Sequence, residues 1–217
     1  MKGKLRWILP LCAAFILILF LIGYYNLKPR LKYILDENTN TYLVSKAFGN
    51  SKKYVVPEKY NGKVVSGIDE RAFFRHDNLE EIEFEKGSNI TIIKKLAFSE
   101  CRKLKKIDLS NVKTIERNAF SYDDELDDLT IGAENIGSSA FYKCISLKNI
   151  TLKEGLKTVG AFTFSYNTFT SIKIPKSITK VYDDAFKYCD KLDKIEVYYS
   201  FDNQYLKGLK GYTKYYD

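Results

Sequence analysis

Thr114-Ile-Glu-Arg-Asn-Ala119-Phe120-Ser-Tyr-Asp-Asp-Glu-Leu126-Asp-Asp-Leu129-Thr130-Ile131 is one unit of a motif that recurs through most of the chain. Its Ala-Phe pair returns as Ala72-Phe73, Ala97-Phe98, Ala140-Phe141 and Ala185-Phe186, with Thr163-Phe164 filling the one gap, at phenylalanine spacings of 25, 22, 21, 23 and 22. Five residues before each phenylalanine stands Ile68, Ile93, Ile115, Ile136, Val159 or Val181. Six after it come Leu79, Leu104, Leu126, Leu147 and Leu192, while the fifth unit is one residue short and uses Phe169. A fixed period of this length is the signature of a stacked repeat.

Each unit ends in a three-residue alternation: Ile82-Glu83-Phe84, Ile107-Asp108-Leu109, Leu129-Thr130-Ile131, Ile150-Thr151-Leu152, Ile172-Lys173-Ile174 and Ile195-Glu196-Val197. Period-two alternation predicts a short strand with one buried face. One such strand cannot bury itself, so six should stack into a parallel sheet, with the phenylalanines as a second internal column. The expected fold is a mainly β repeat solenoid.

The pattern of Ile or Val, then Ala-Phe, then Cys or Asn three on, Leu six on and Ile-x-Leu nine on resembles the BspA-type leucine-rich repeat family over residues 64–197. Tyr54-Val-Val-Pro-Glu-Lys-Tyr-Asn-Gly-Lys-Val-Val65 also resembles the hairpin that opens such domains, and Asn61-Gly62 is a hairpin signal in its own right. The resemblance implies a bacterial-type surface protein that binds proteins or host components through an exposed repeat face. Ala47-Phe48, 25 residues before Phe73, reads as a degenerate capping unit.

The net charge of +8 over 217 residues is unevenly placed. Residues 1–30 hold Lys2, Lys4, Arg6, Lys28 and Arg30 and no acid, so the other 187 residues carry thirty cations against twenty-seven acids. A domain this near neutrality lacks the basic footprint of a nucleic-acid binder. Trp7 to Tyr25 is 19 residues without a charge. At 1.5 Å per residue it spans about 28 Å, the reach of a transmembrane helix. Three cations precede it and Trp7, Tyr24 and Tyr25 stand at its ends as interfacial aromatics. Because it ends without a small-x-small cleavage site, it reads as an uncleaved signal anchor. Lys28, Arg30 and Lys32 balance the cations before the run, so charge leaves orientation open; the family resemblance implies an extracellular domain.

Cys101, Cys144 and Cys189 lie three residues after the phenylalanines of alternate units. At about 4.8 Å per coil they stand roughly 10 Å apart, beyond the 7 Å or so that a disulfide spans. They read as buried thiols in a column shared with His76, Asp123 and Asn167. His76 is the only histidine, so a histidine-based triad or zinc site has no second member. Asp123, Asp124, Glu125, Asp127 and Asp128 suggest calcium, but without the alternating acids and turn glycine of a calcium loop. The same offsets one coil back give Arg102, Lys103, Lys105 and Lys106, and one further back Asp77, Asn78, Glu80 and Glu81. Ion pairing between coils is the simpler expectation. There is no phosphate-binding glycine loop, no GxSxG and no HExxH, so neither catalysis, a cofactor nor a bound metal is expected.

The outward positions of the expected sheet are Glu83, Asp108, Thr130, Thr151, Lys173 and Glu196, and such a face is where a solenoid meets its partners. The resulting organisation is a basic N-terminus (1–6), a transmembrane helix or signal anchor (7–25), a juxtamembrane linker (26–39), an N-terminal cap with hairpin (40–66), six leucine-rich repeats (67–197) and a tyrosine-rich C-terminal cap (198–217). The functional expectation is a single-pass, membrane-anchored, non-catalytic module binding a protein or cell-surface ligand. The alternative is a scaffolding component of a cell-envelope assembly that pairs through its edges or tail.

Overall fold

The isoleucines and valines five residues before each phenylalanine do more than mark the period: they build the longest ladder of the molecule. The computed structural model describes residues 29–198 and 213–216, which wind into a mainly β solenoid of about seven turns. β1 (Arg30–Asp36) runs antiparallel to β2 (Thr41–Phe48). β3 (Lys53–Val56) follows, then β4 (Lys59–Tyr60), which turns through Asn61 and Gly62, at φ 47° and 77°, into β5 (Lys63–Ile68). From β2 and β5 a parallel ladder continues coil by coil. Its rungs after β6 (Glu81–Phe84) are β7 (Ile92–Ile93), β8 (Thr114–Ile115), β10 (Asn135–Ile136), β12 (Thr158–Val159) and β14 (Lys180–Val181). β9 (Asp128–Ile131), β11 (Asn149–Leu152), β13 (Ser171–Lys173), β15 (Lys194–Tyr198) and β16 (Thr213–Tyr216) lie on the other side of the coils.

The Ala-Phe turn forms a second continuous ladder. Phe73, Phe98, Phe120, Phe141 and Phe164 each donate a backbone N–H to the carbonyl of the residue before the next coil's phenylalanine: the acceptors are Ala97, Ala119, Ala140, Thr163 and Ala185, at 2.8–2.9 Å. Residues two before and two after the phenylalanine, such as Asn118 and Tyr122, adopt positive φ of 57° and 65° and also bond along the stack. Side chains with a Cβ enter this region only when surroundings over-determine them. Here the intercoil bonds do so at every turn. Inside, the rings stack face to face, with centroids 4.9, 5.1, 5.2, 5.6 and 5.6 Å apart from Phe73 to Phe186. Burying each ring contributes roughly 1.5–3 kcal/mol.

The six-stranded parallel sheet expected from the Ile-x-Leu triplets is not continuous. It divides into β3 with β6, β9 with β11, and β13 with β15 and β16. Ile107-Asp108-Leu109 forms no strand and touches its neighbours only through the bridges Glu81↔Lys106 and Leu109↔Ile131. The register is nonetheless kept, because the two bridges pair positions 25 and 22 apart, the same offsets as the phenylalanines of those coils. Asp108 bends the backbone by accepting the Ser110 N–H at 2.9 Å. Between β11 and β13 the break falls where the fifth unit is one residue short.

β1 occupies residues that the sequence reading leaves to a linker. Arg30–Asp36 alternates exposed Arg30, Lys32 and Ile34 with partly buried Leu31, Tyr33 and Leu35, which is strand patterning. The expected membrane helix over 7–25 lies outside the described residues, as does most of the C-terminal cap. Among the described residues no helix is long and apolar enough to cross a membrane.

Candidate functional site

The divided sheet still turns its alternating residues outward. Ile82, Leu129, Leu152, Ile172 and Ile195 are buried, while Glu83, Asp108, Thr130, Thr151 and Lys173 are exposed. Thr130 and Thr151 are direct neighbours across β9 and β11, and Lys173 and Glu196 across β13 and β15. Glu196 is half-buried and ion-paired to Lys194, whose ammonium holds its carboxyl below the usual range. Asp108 stands alone in the break, and Glu83 is clasped by Lys53 at 2.5 Å.

That break opens a groove of about 830 Å³. No backbone hydrogen bond joins Ile107 or Asp108 to β6 or β9. Ile82, Phe84 and Ile107 contribute apolar lining, alongside six carboxylates and the ammoniums of Lys105, Lys106 and Lys148. The expected ion pairing between coils is present in altered form. Arg102 meets Asp124 at 2.8 Å and Lys103 donates to Asn78 at 3.0 Å, as the offsets predict. Lys105 instead reaches Glu125 at 3.0 Å, Asp127 pairs forward with Lys148, and Glu80 is taken by Lys52 at 2.7 Å. Lys105 thus pairs two offsets from its own, while Lys148 keeps the offset of Asp127 in the following coil. Among the described residues no group of three or more potential ligands is placed to hold a metal ion.

The column three residues after the phenylalanines is a chain of hydrogen-bond donors. Cys101, Cys144 and Cys189 are unpaired and buried, and their thiols donate to the carbonyls of Phe73, Phe120 and Phe164, one coil back, at 3.0, 3.1 and 2.9 Å. Asn167 donates likewise to Phe141 at 2.9 Å. Burial pushes the Cys189 thiol up to about 11 and the other two well above their ordinary value, which disfavours the reactive thiolate at all three. His76 heads the column; its Nε2 meets the Tyr54 hydroxyl at 2.8 Å, and burial lowers its pKa. Asp123 is the exception in kind. It is wholly buried, one oxygen accepts the Cys101 N–H at 2.8 Å, the other has no partner, and burial raises its carboxyl well above the usual range.

A second surface feature escapes the sequence reading. Tyr122, Tyr142, Tyr166 and Tyr188 form a continuous ridge along the turn edge, with centroids 5.5, 5.4 and 4.6 Å apart. The Lys143 ammonium lies within 5.1–5.7 Å of the first three rings. The signal was available, because Tyr122, Tyr166 and Tyr188 each stand two residues after a column phenylalanine. It is obscured where Lys143 holds that position and Tyr142 precedes it.

A family model described as BspA type leucine rich repeat region matches residues 23–136 and 128–207, with six copies. No curated protein matches the chain. Among solved structures it is similar to a leucine rich cell surface protein of Faecalibacterium prausnitzii A2-165, at 24% identity and a TM-score of 0.62, covering 77% of this chain and 54% of that one. A leucine-rich repeat protein of Bacteroides ovatus ATCC 8483 follows at 25% identity and a TM-score of 0.54, covering 77% and 51%. The leucine rich repeat protein of T. pallidum gives 22% and 0.53, covering 77% and 68%. The chain spans about half the length of the first two, and the likeness to all three is one of fold.

Proposed function

The chain belongs to the BspA-type leucine-rich repeat family, and on that premise we propose that it is a membrane-anchored, non-catalytic recognition module. Residues 7–25 anchor it, the solenoid lies outside the cell, and the face bearing Glu83, Asp108, Thr130, Thr151, Lys173 and Glu196 engages a protein or surface-exposed ligand. The observation that carries this reading is the row of exposed polar side chains interrupted by the 830 Å³ groove at Asp108. The half-buried Phe84 and Ile107 beside fixed charges offer both contact area and orientation. The related F. prausnitzii structure is described as a cell surface protein, in keeping with an outward domain.

The tyrosine ridge favours a second reading, in which the protein is a scaffold that pairs through its turn edge. Alanine replacement of Glu83, Asp108, Thr151 and Lys173 should abolish capture of the partner by a recognition face and leave an edge-paired assembly intact. Tyr166→Ala with Tyr188→Ala should do the reverse. Protease treatment of intact cells tests the location: a solenoid that survives until the cells are lysed rules out the outward domain.

A further inference from the structure

The outward face of the β1–β2 hairpin carries three cations with no ion pair among the described residues. Arg30 is paired across the strands with Phe48, and Lys32 with Lys46. The Arg30 guanidinium and Lys46 ammonium lie 5.7 and 5.3 Å from the Phe48 ring centroid. Ile34, on the same face of β1, is 50% exposed and Phe48 37%. Several cations of the repeats are taken up by acids one coil away, as in Arg75–Glu100, Lys94–Asp69, Lys95–Glu70 and Lys157–Glu134. No ion pair joins Arg30, Lys32 or Lys46 to an acid of the described residues.

Chain length limits where this patch can be. Arg30 follows Tyr25, the last residue of the apolar run, by five positions. Five residues reach at most about 17 Å even when fully extended. An anchor over 7–25 therefore holds the hairpin beside the lipid headgroups, where attraction between cations and anionic lipid acts over a Debye length of about 8 Å. Three cations without ion pairs, two of them against an aromatic ring, with an exposed isoleucine on the same strand, suit that boundary chemically.

We propose that the N-terminal cap docks this face on an anionic lipid surface, so that the solenoid is held in a set orientation on the membrane. The proposal rests on the anchor reading of residues 7–25. It is tested with the full chain carrying Trp7→Phe and Ile34→Trp, which makes the introduced indole the only one. The chain is reconstituted into phosphatidylcholine vesicles with and without phosphatidylglycerol, some lipids being brominated near the headgroup. The expected result is a blue-shifted, quenched indole in the anionic vesicles. Adding Arg30→Glu, Lys32→Glu and Lys46→Glu should remove the quenching while the chain still floats with the vesicles. An unquenched indole in a floating chain, quenching that survives the charge reversal, or equal quenching of an indole placed mid-solenoid by Ile145→Trp would each overturn it. A chain that floats with neither vesicle type refutes the anchor itself.

Discussion

Replacing Asp123 with asparagine should stabilise the protein, and by more as the pH rises. The carboxyl is fully buried, has one oxygen satisfied by the Cys101 N–H, and is pushed well above its ordinary range by desolvation. Burial thus favours the neutral carboxyl in the fold over that in the unfolded chain. A raised folded-state pKa means that the stabilising contribution is complete below the unfolded value, about 3.9, and is lost as pH rises above it. The loss runs at about 1.4 kcal/mol per pH unit until the folded group itself titrates. Asparagine keeps the acceptor for Cys101, cannot ionise, and supplies an N–H where every other occupied slot from Cys101 to Cys189 donates to the phenylalanine carbonyl one coil back. For a chain of this length each kcal/mol moves Tm by roughly 2–4 °C. The Asp123→Asn advantage should therefore widen by roughly 3–5 °C per pH unit above pH 4. Thermal melts of both proteins across pH 4 to 9 measure it. Parallel curves, or a variant less stable at every pH, would refute the assignment of Asp123 as a buried neutral acid.

The three thiols should resist iodoacetamide at pH 8 in the folded protein and react fully in urea, as read by peptide mass mapping; labelling of Cys101 or Cys144 in the native state contradicts their burial. Gly132→Ala should cost about 1–3 kcal/mol, because a Cβ there would lie 2.0 Å from the Ser110 carbonyl oxygen, a backbone atom of the preceding coil that cannot step aside. A urea midpoint equal to that of the parent would show that the coils are less tightly apposed. Asp124→Lys with Glu125→Lys should lower Tm at low salt by the equivalent of about 0–1 kcal/mol per pair. The difference should vanish at high salt, since Arg102 and Lys105 are their partners.

How much was legible in the sequence follows from how each feature is encoded. The phenylalanine column, the isoleucine rungs and the buried column through Cys101 repeat at each coil, so the period alone assigns them. The break in the outer sheet at Asp108 leaves no trace in the spacing, since the bridges on either side of it keep the repeat's own offsets of 25 and 22. β1 was hidden because Arg30–Asp36 follows an apolar run closely and carries no repeat signature, although its alternation is plain once β2 pairs with it. Asp123 stands in a run of acids whose other members are solvent-accessible; only its offset from Phe120, shared with Cys101 and Cys144, singles it out.

The sequence by itself determined the repeat, its phase, the buried columns through the isoleucines, phenylalanines, leucines and cysteines, and the near-neutral charge of the residues after the cationic, apolar N-terminal stretch. These rest on periodicity, which one-dimensional spacing carries in full. The tertiary structure decided which backbone groups bond between coils, that the Ala-Phe turn is a ladder of its own, where the outer sheet opens into a groove, and which exposed side chains meet to form the tyrosine ridge and the cationic cap. Apart from the hairpin face, each of those depends on residues one coil apart in the sequence lying about 5 Å from one another. Such neighbours acquire a physical consequence only when the coils stack.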